Sequence, residues 1–178
     1  MSPSELPGFL DLFENRAFGG KPEWAGCYCQ FYLDDPNSTN PAELTSERNR
    51  KKACDRVQTR EMVGYLAYLD DLCVGWCAAG PAKNYPAFPE TQPNVARVLC
   101  FVIDENQRGK GIATALLNYA LHDLGDQGFE ALEAAPMVDA AGQEANYHGP
   151  ISLFAKAGFE RGAELGNGQV LMTKKLNH

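Results

Sequence analysis

The chain has 178 residues, 44% of them hydrophobic and 22% charged, with a net charge of −7 and a pI near 5.0. This length suits one well-buried domain, and the acidic balance disfavours non-specific nucleic-acid binding, which needs a basic footprint. No apolar run approaches the roughly 20 residues of a bilayer span, and residues 1–18 lack a basic region followed by an apolar core. A cytoplasmic protein without membrane attachment is expected.

Residues 5–18 (ELPGFLDLFENRAF) place Leu6, Phe9, Leu10, Phe13 and Ala17 at helical spacing. WAGCYCQFYL then has the aromatic and small apolar content of a strand. DDPNSTNP, residues 34–41, is rich in turn formers, and ELTSERNRKKACDRVQTREM predicts a polar, exposed helix with a solvated charged face. Two apolar runs in GYLAYLDDLCVGWCAAG meet at Asp70-Asp71 as a β-hairpin. PAKNYPAFPETQP is a proline-punctuated loop. VARVLCFVI, residues 95–103, suits a strand buried on both faces.

From Gly109 the period changes, with Ile112, Leu116, Tyr119, Ala120 and Leu124 on one helical stripe that ends at Gly125 and Gly128. FEALEAAP is a further strand, and a short helix around Ile151, Leu153, Phe154 and Ala157 stops at Gly158. Two last strands, FERGAEL and QVLMTKKL, are joined at GNG. Alternation of strands and helices in the second half predicts an α/β fold with a mixed, partly parallel central sheet flanked by helices. The cysteines, Cys27, Cys29, Cys54, Cys73, Cys77 and Cys100, lie mostly in apolar segments and read as reduced, packed thiols. The Cys27-x-Cys29 pair has no second paired cluster at structural zinc spacing, so no metal is expected.

The stretch QRGKGIATALL carries chemistry. A helix's first turn has backbone N–H groups without intrahelical partners and the positive end of its dipole. Glycines let that backbone approach a phosphate closely, while Arg108 and Lys110 add cationic donors. A Walker A loop is absent. The dinucleotide fingerprint is met at Gly109 and Gly111 but has Thr114 at its third glycine, and five residues separate the strand from Gly109. The pattern R-x-x-G-x-A is met by Arg108, Gly111 and Ala113.

With that pattern the sequence resembles the GNAT superfamily of N-acetyltransferases, whose coenzyme A loop has the form [QR]-x-x-G-x-[GA] between a buried strand and a helix. SLFAKAGF looks like the family's later LY-x-K-x-GF segment and VLMTKKL like its closing strand, so the resemblance covers roughly Gly64 to Leu176. It implies a single domain over residues 1–178. Within it, residues 1–60 form acceptor-side helices and a strand, and residues 64–176 form a coenzyme A-binding core. It further implies that Arg108, Gly109, Lys110, Gly111, Ile112, Ala113 and Thr114 hold the pyrophosphate. Phe101, Val102 and Ile103 would pair their backbone with the pantetheine arm, and an N–H there would face the thioester carbonyl.

The activity so implied is transfer of an acetyl group from acetyl-CoA, without a metal, to a primary amine of a small molecule or peptide by direct attack in a ternary complex. A non-catalytic or regulatory acyl-CoA-binding module is the alternative, a dinucleotide-binding protein is a third reading, and a homodimer is left open. The amine must lose a proton. Glu133 is the leading candidate for the base, with Asp104 and Glu105 as alternatives. The departing thiolate needs a proton, yet the family's usual tyrosine is Phe154 here. Tyr147, His148 and Ser152 could supply it, Tyr147 first. For the acceptor pocket the aromatics of Trp24, Tyr28, Phe31 and Tyr32 compete with Tyr85 and Phe88, the loop pair being favoured because loops carry specificity.

Overall fold

The computed structural model describes residues 1–35, 37, 44–86, 88, 93–139, 146–166 and 168–176. Parts of the two turn-rich loops at 34–41 and 81–93, and the centre of the GNG turn, lie outside the described residues. Helix α1 (Leu6–Asp11) opens on a short 3-10 turn and widens into a π-helical stretch over Leu12–Arg16. After it come α2 (Pro22–Ala25), α3 (Ser46–Gln58), β1 (Tyr65–Leu69), β2 (Leu72–Pro81) and β3 (Val95–Ile103). The chain continues through α4 (Ile112–Asp126), β4 (Ala131–Ala134), α5 (Ile151–Lys156), β5 (Glu160–Leu165) and β6 (Gln169–Lys175). The α3 start is capped by Thr45, whose hydroxyl accepts from the Arg48 N–H.

The strands form one mixed sheet in the order β1-β2-β3-β4-β6-β5, in which only β3 and β4 run parallel. Along β2, side chains alternate between two cores. Trp76 and Ala78 face α1 and α3, whereas Cys77 and Ala79 face α4 and α5. Leu116, Leu117, Ala120 and Leu124 of α4 fill the second core. Tyr119, expected on that stripe, is instead 62% exposed and only rests its ring edge on Tyr65. Among the described residues no helix is long and apolar enough to cross a membrane.

The expected strand in WAGCYCQFYL is a correction. Its residues form α2, a turn and a 3-10 turn over Gln30–Tyr32, with Tyr28 and Cys29 at positive φ, 42° and 55°. Apolar and aromatic content there reports burial, and burial is what strand propensity mostly measures. A left-handed pair cannot continue a strand.

Two features of the sheet prepare a cleft. The parallel pairing of β3 with β4 spans only Val95–Val98 against Ala131–Ala134, so beyond Val98 the edge of β3 is released. At the same level the β2–β3 register slips: Ala79 pairs with Val98 but Ala78 with Cys100, leaving Leu99 as an extra residue in a bulge.

Candidate active site

The released edge of β3, the start of α4, α5 with the residues before it, and the segment from Ala17 to Tyr32 enclose one cavity of about 920 Å³. Arg108, Gly109, Gly111, Ile112, Ala113 and Thr114 line one end, with Asn118 one turn further along α4. Gly109 and Gly111 have φ of 75° and 85°, and an added Cβ at either would meet nothing within 4 Å, so the glycines meet a backbone requirement and leave open space. The first intrahelical bond of α4 runs from the Ala115 N–H to the Gly111 carbonyl, and no side chain caps the helix. The N–H groups of Ile112, Ala113 and Thr114 therefore have no intrahelical acceptor, and they lie where an anion gains most from the helix dipole.

The cationic side chains of the loop are placed differently from the expectation. Arg108 donates to the Ala17 carbonyl at 2.6 Å and so ties the N-terminal segment to the loop, while Lys110 donates to Gln107 and lies outside the cavity lining. Glu105 accepts from the Gly20 N–H and stands 4.0 Å from Arg108, bracing the same junction. Asp104 is 2% exposed and caps the following turn through the Asn106 N–H. Neither carboxylate is directed to proton transfer by these contacts.

Phe101, Val102 and Ile103 all line the middle of the cavity. The Phe101 N–H is already donated, to the Tyr147 carbonyl at 2.6 Å, across the gap where β4 has left β3. Ile103, two residues along, directs its amide to the same open edge by strand alternation.

Glu133 is not brought to the cavity. Its carboxylate accepts from Arg97 at 2.7 Å, with both side chains about 95% buried. Arg97 and Glu133 are register partners in the part of the sheet where β3 and β4 are still paired, on the face away from α4 and α5. Phe88 covers the Arg97 guanidinium at 5.3 Å. Phe154 is fully buried between Phe101 and Phe159, so its ring is core, and Ser152 and Leu153 turn to the cavity instead.

Tyr147 does reach the cavity wall, and the fold joins it to partners that are remote in sequence. Tyr147 meets the Trp24 ring edge to face at 6.0 Å, and the Tyr32 hydroxyl lies 3.3 Å from His148 Nε2. His148 Nδ1 lies 2.7 Å from the Leu99 carbonyl presented by the bulge. That carbonyl can only accept, so Nδ1 carries the proton and Nε2 is left as an acceptor for Tyr32. Burial holds the His148 pKa below its ordinary value, and burial likewise pushes the Tyr32 hydroxyl far up. Tyr32 thus stays protonated and can only pass protons along. Tyr32 is positioned by α3: Arg56 donates to Gln30 Oε1 at 2.7 Å and to the Leu33 carbonyl, and Lys52 pairs with Asp34.

Of the aromatics considered for the acceptor, Trp24, Phe31 and Tyr32 line the cavity. Tyr28 is stacked on Phe13 in the core, and Tyr85 is buried, so the favoured loop pair is a correction: Tyr85 and Phe88 pack behind the wall, Phe88 stacking on Tyr32. Three thiols, Cys27, Cys29 and Cys100, complete this end. A hydrogen bond with Cys29 pushes the Cys27 thiol up, and one with Cys100 does the same to Cys29. Neutral thiols are poor nucleophiles.

A strand released by its neighbour, a glycine turn and an uncapped helix start all open on one cleft. The model of the acetyltransferase (GNAT) family matches residues 27–159, and the chain belongs to that family. No curated protein matches significantly. Among solved structures, PaiA N-acetyltransferase from Thermoplasma acidophilum in complex with coenzyme A superimposes with a TM-score of 0.58 at 16% identity, covering 98% of this chain and 95% of that one. Aminoglycoside 6'-acetyltransferase type Ii gives 0.61 at 16% identity over 99% and 92%. Ribosomal-protein-alanine N-acetyltransferase from Brucella melitensis gives 0.54 at 19% identity over 99% and 97%. At these identities the likeness establishes the fold.

Proposed function

We propose that this chain transfers an acetyl group from acetyl-CoA to the primary amine of an acceptor by direct attack in a ternary complex. The observation that carries the reading is the uncapped start of α4, whose Ile112–Thr114 amides open onto the same cavity as the released edge of β3. The pyrophosphate fits the first, and the pantetheine arm extends along the second as an added strand. The thioester carbonyl then takes the place of the Tyr147 carbonyl at the Phe101 N–H, which becomes the donor to the developing oxyanion.

An acceptor arrives as an ammonium ion and gives up one proton before its nitrogen lone pair attacks the thioester carbon. The new C–N bond forms, the C–S bond breaks as the tetrahedral adduct collapses, and the nitrogen's second proton balances the one taken up by the thiolate. Tyr147, at the cavity wall, is the donor to that thiolate. The base role expected of Glu133 falls instead to neutral His148, reached through the Tyr32 hydroxyl, because Glu133 is committed to Arg97 away from the cleft. Hydrogen bonding and burial raise the Cys27 and Cys29 thiols, which favours direct attack over an acyl intermediate on either of these two cysteines.

Thiol release from acetyl-CoA, followed against a panel of amines, tests the reading. Amine-dependent release is expected, and Tyr147→Phe should lower kcat about tenfold to a hundredfold, in the range of one general acid. Calorimetric binding of acetyl-CoA with no release for any amine would favour an acyl-CoA-binding module. An unchanged kcat in Tyr147→Phe would remove Tyr147 from the chemistry.

A further inference from the structure

The cavity end opposite the α4 amides has a composition that selects among amines. Trp24 and Tyr147 meet edge to face at 6.0 Å, and Phe31 meets Tyr32 edge to face at 5.2 Å. All four rings line the cavity, with Cys27 and Cys29 beside them. Phe31 lines the cavity while remaining 67% exposed. Among the described residues lining the cavity, carboxylates come only from Glu23 and Glu105, against cations from Lys21, Arg108 and Lys156. Glu105 is occupied by the Gly20 amide beside Arg108. Among the described residues, Glu23 is then the carboxylate left near the aromatic end to meet a positive charge.

We propose, resting on the acetyltransferase reading above, that the acceptor is a small aromatic primary amine bearing a single charge. Its ring lies among Trp24, Phe31 and Tyr32, and its nitrogen points inward past Tyr147 toward the edge of β3. Aromatic faces and neutral, polarisable thiols gain from contact with an apolar ring, and they hold an incoming ammonium by cation–π attraction without fixing it as a tight ion pair would. That suits a group that must shed its proton to react. Lys21 stands 4.9 Å over the Trp24 ring and already engages that face, which leaves the neighbouring rings to meet the ammonium. A polyamine or an aminoglycoside carries several charges that must each be matched, and the described residues of this wall offer them one carboxylate, Glu23, beside the cationic Lys21.

The test compares phenethylamine and tryptamine with spermidine, kanamycin and an alanine-led tripeptide in the thiol-release assay, together with acetyl-CoA calorimetry. The aryl amines should exceed the others at least about tenfold in kcat/KM, and Trp24→Ala should raise their KM about tenfold, the scale of one lost aromatic contact, while acetyl-CoA affinity stays within about twofold. Phe31→Ala, at an exposed position, is the second variant and should act in the same direction. Preference for spermidine, kanamycin or the tripeptide would overturn the aromatic-amine proposal and leave the acetyltransferase reading standing. Acetyl-CoA binding with no release for any amine would overturn both.

Discussion

Replacing Glu133 with glutamine separates a structural carboxylate from a catalytic one. The Arg97–Glu133 pair is 2.7 Å apart, and the two side chains are 5% and 6% exposed. Removing one member of such a pair costs about 3–5 kcal/mol, because the remaining charge stays buried without its counter-charge. Glutamine keeps one carbonyl oxygen for Arg97, so Glu133→Gln should cost about 2–3 kcal/mol. For a domain of this size each kcal/mol lowers Tm by about 2–4 °C, which predicts a fall of roughly 4–12 °C in a circular-dichroism melt. The folded fraction, assayed by thiol release well below its midpoint, should keep kcat within about threefold of the parent. A variant that melted with the parent but lost about a hundredfold in kcat would refute this reasoning and return Glu133 to the reacting atoms.

Gly111→Ala places a Cβ on a residue at φ 85°, with nothing of the protein within 4 Å, so its cost is conformational, about 1–2 kcal/mol, and falls on the turn proposed to hold the pyrophosphate. Acetyl-CoA affinity measured by calorimetry should fall at least about tenfold, and an unchanged affinity would move the pyrophosphate elsewhere. His148 has its native pKa held below 6.5 by burial, so in mildly acid solution the unfolded chain takes up a proton that the native protein resists. Stability should therefore be full above about pH 6.5 and decline as pH falls from there toward the native pKa, by at most about 1.4 kcal/mol per pH unit. Urea unfolding at pH 7.5 and 5.5 should show this slope in the parent and less of it in His148→Gln, and an equal slope in both would assign the acid sensitivity to other groups.

The legible part of the molecule was the part whose structure is encoded within a few consecutive residues. Strand β3, the glycine turn and α4 follow from a β-branched apolar run, two positions that need left-handed backbone, and a helical stripe, all within residues 95–126. The hairpin at Asp70-Asp71 and the mixed sheet follow from equally local patterns. Local signals misled where burial imitated propensity. The aromatic segment around Tyr28 and Cys29 is a turn carrying two left-handed residues, and it lines the cavity because it is not a strand.

What only tertiary structure decided is which side chains meet. Glu133 stood on the expected strand, but strand parity and the β3–β4 register send it to Arg97, a neighbour 36 residues away. Tyr32 and His148 are 116 residues apart, and they touch because α3 fixes the one while a bulge at Leu99 anchors the other. A donor site made of backbone amides can be written in one motif, since every residue supplies an N–H wherever the chain turns correctly. An acceptor site made of side chains from three separated segments exists only once the sheet has set their register.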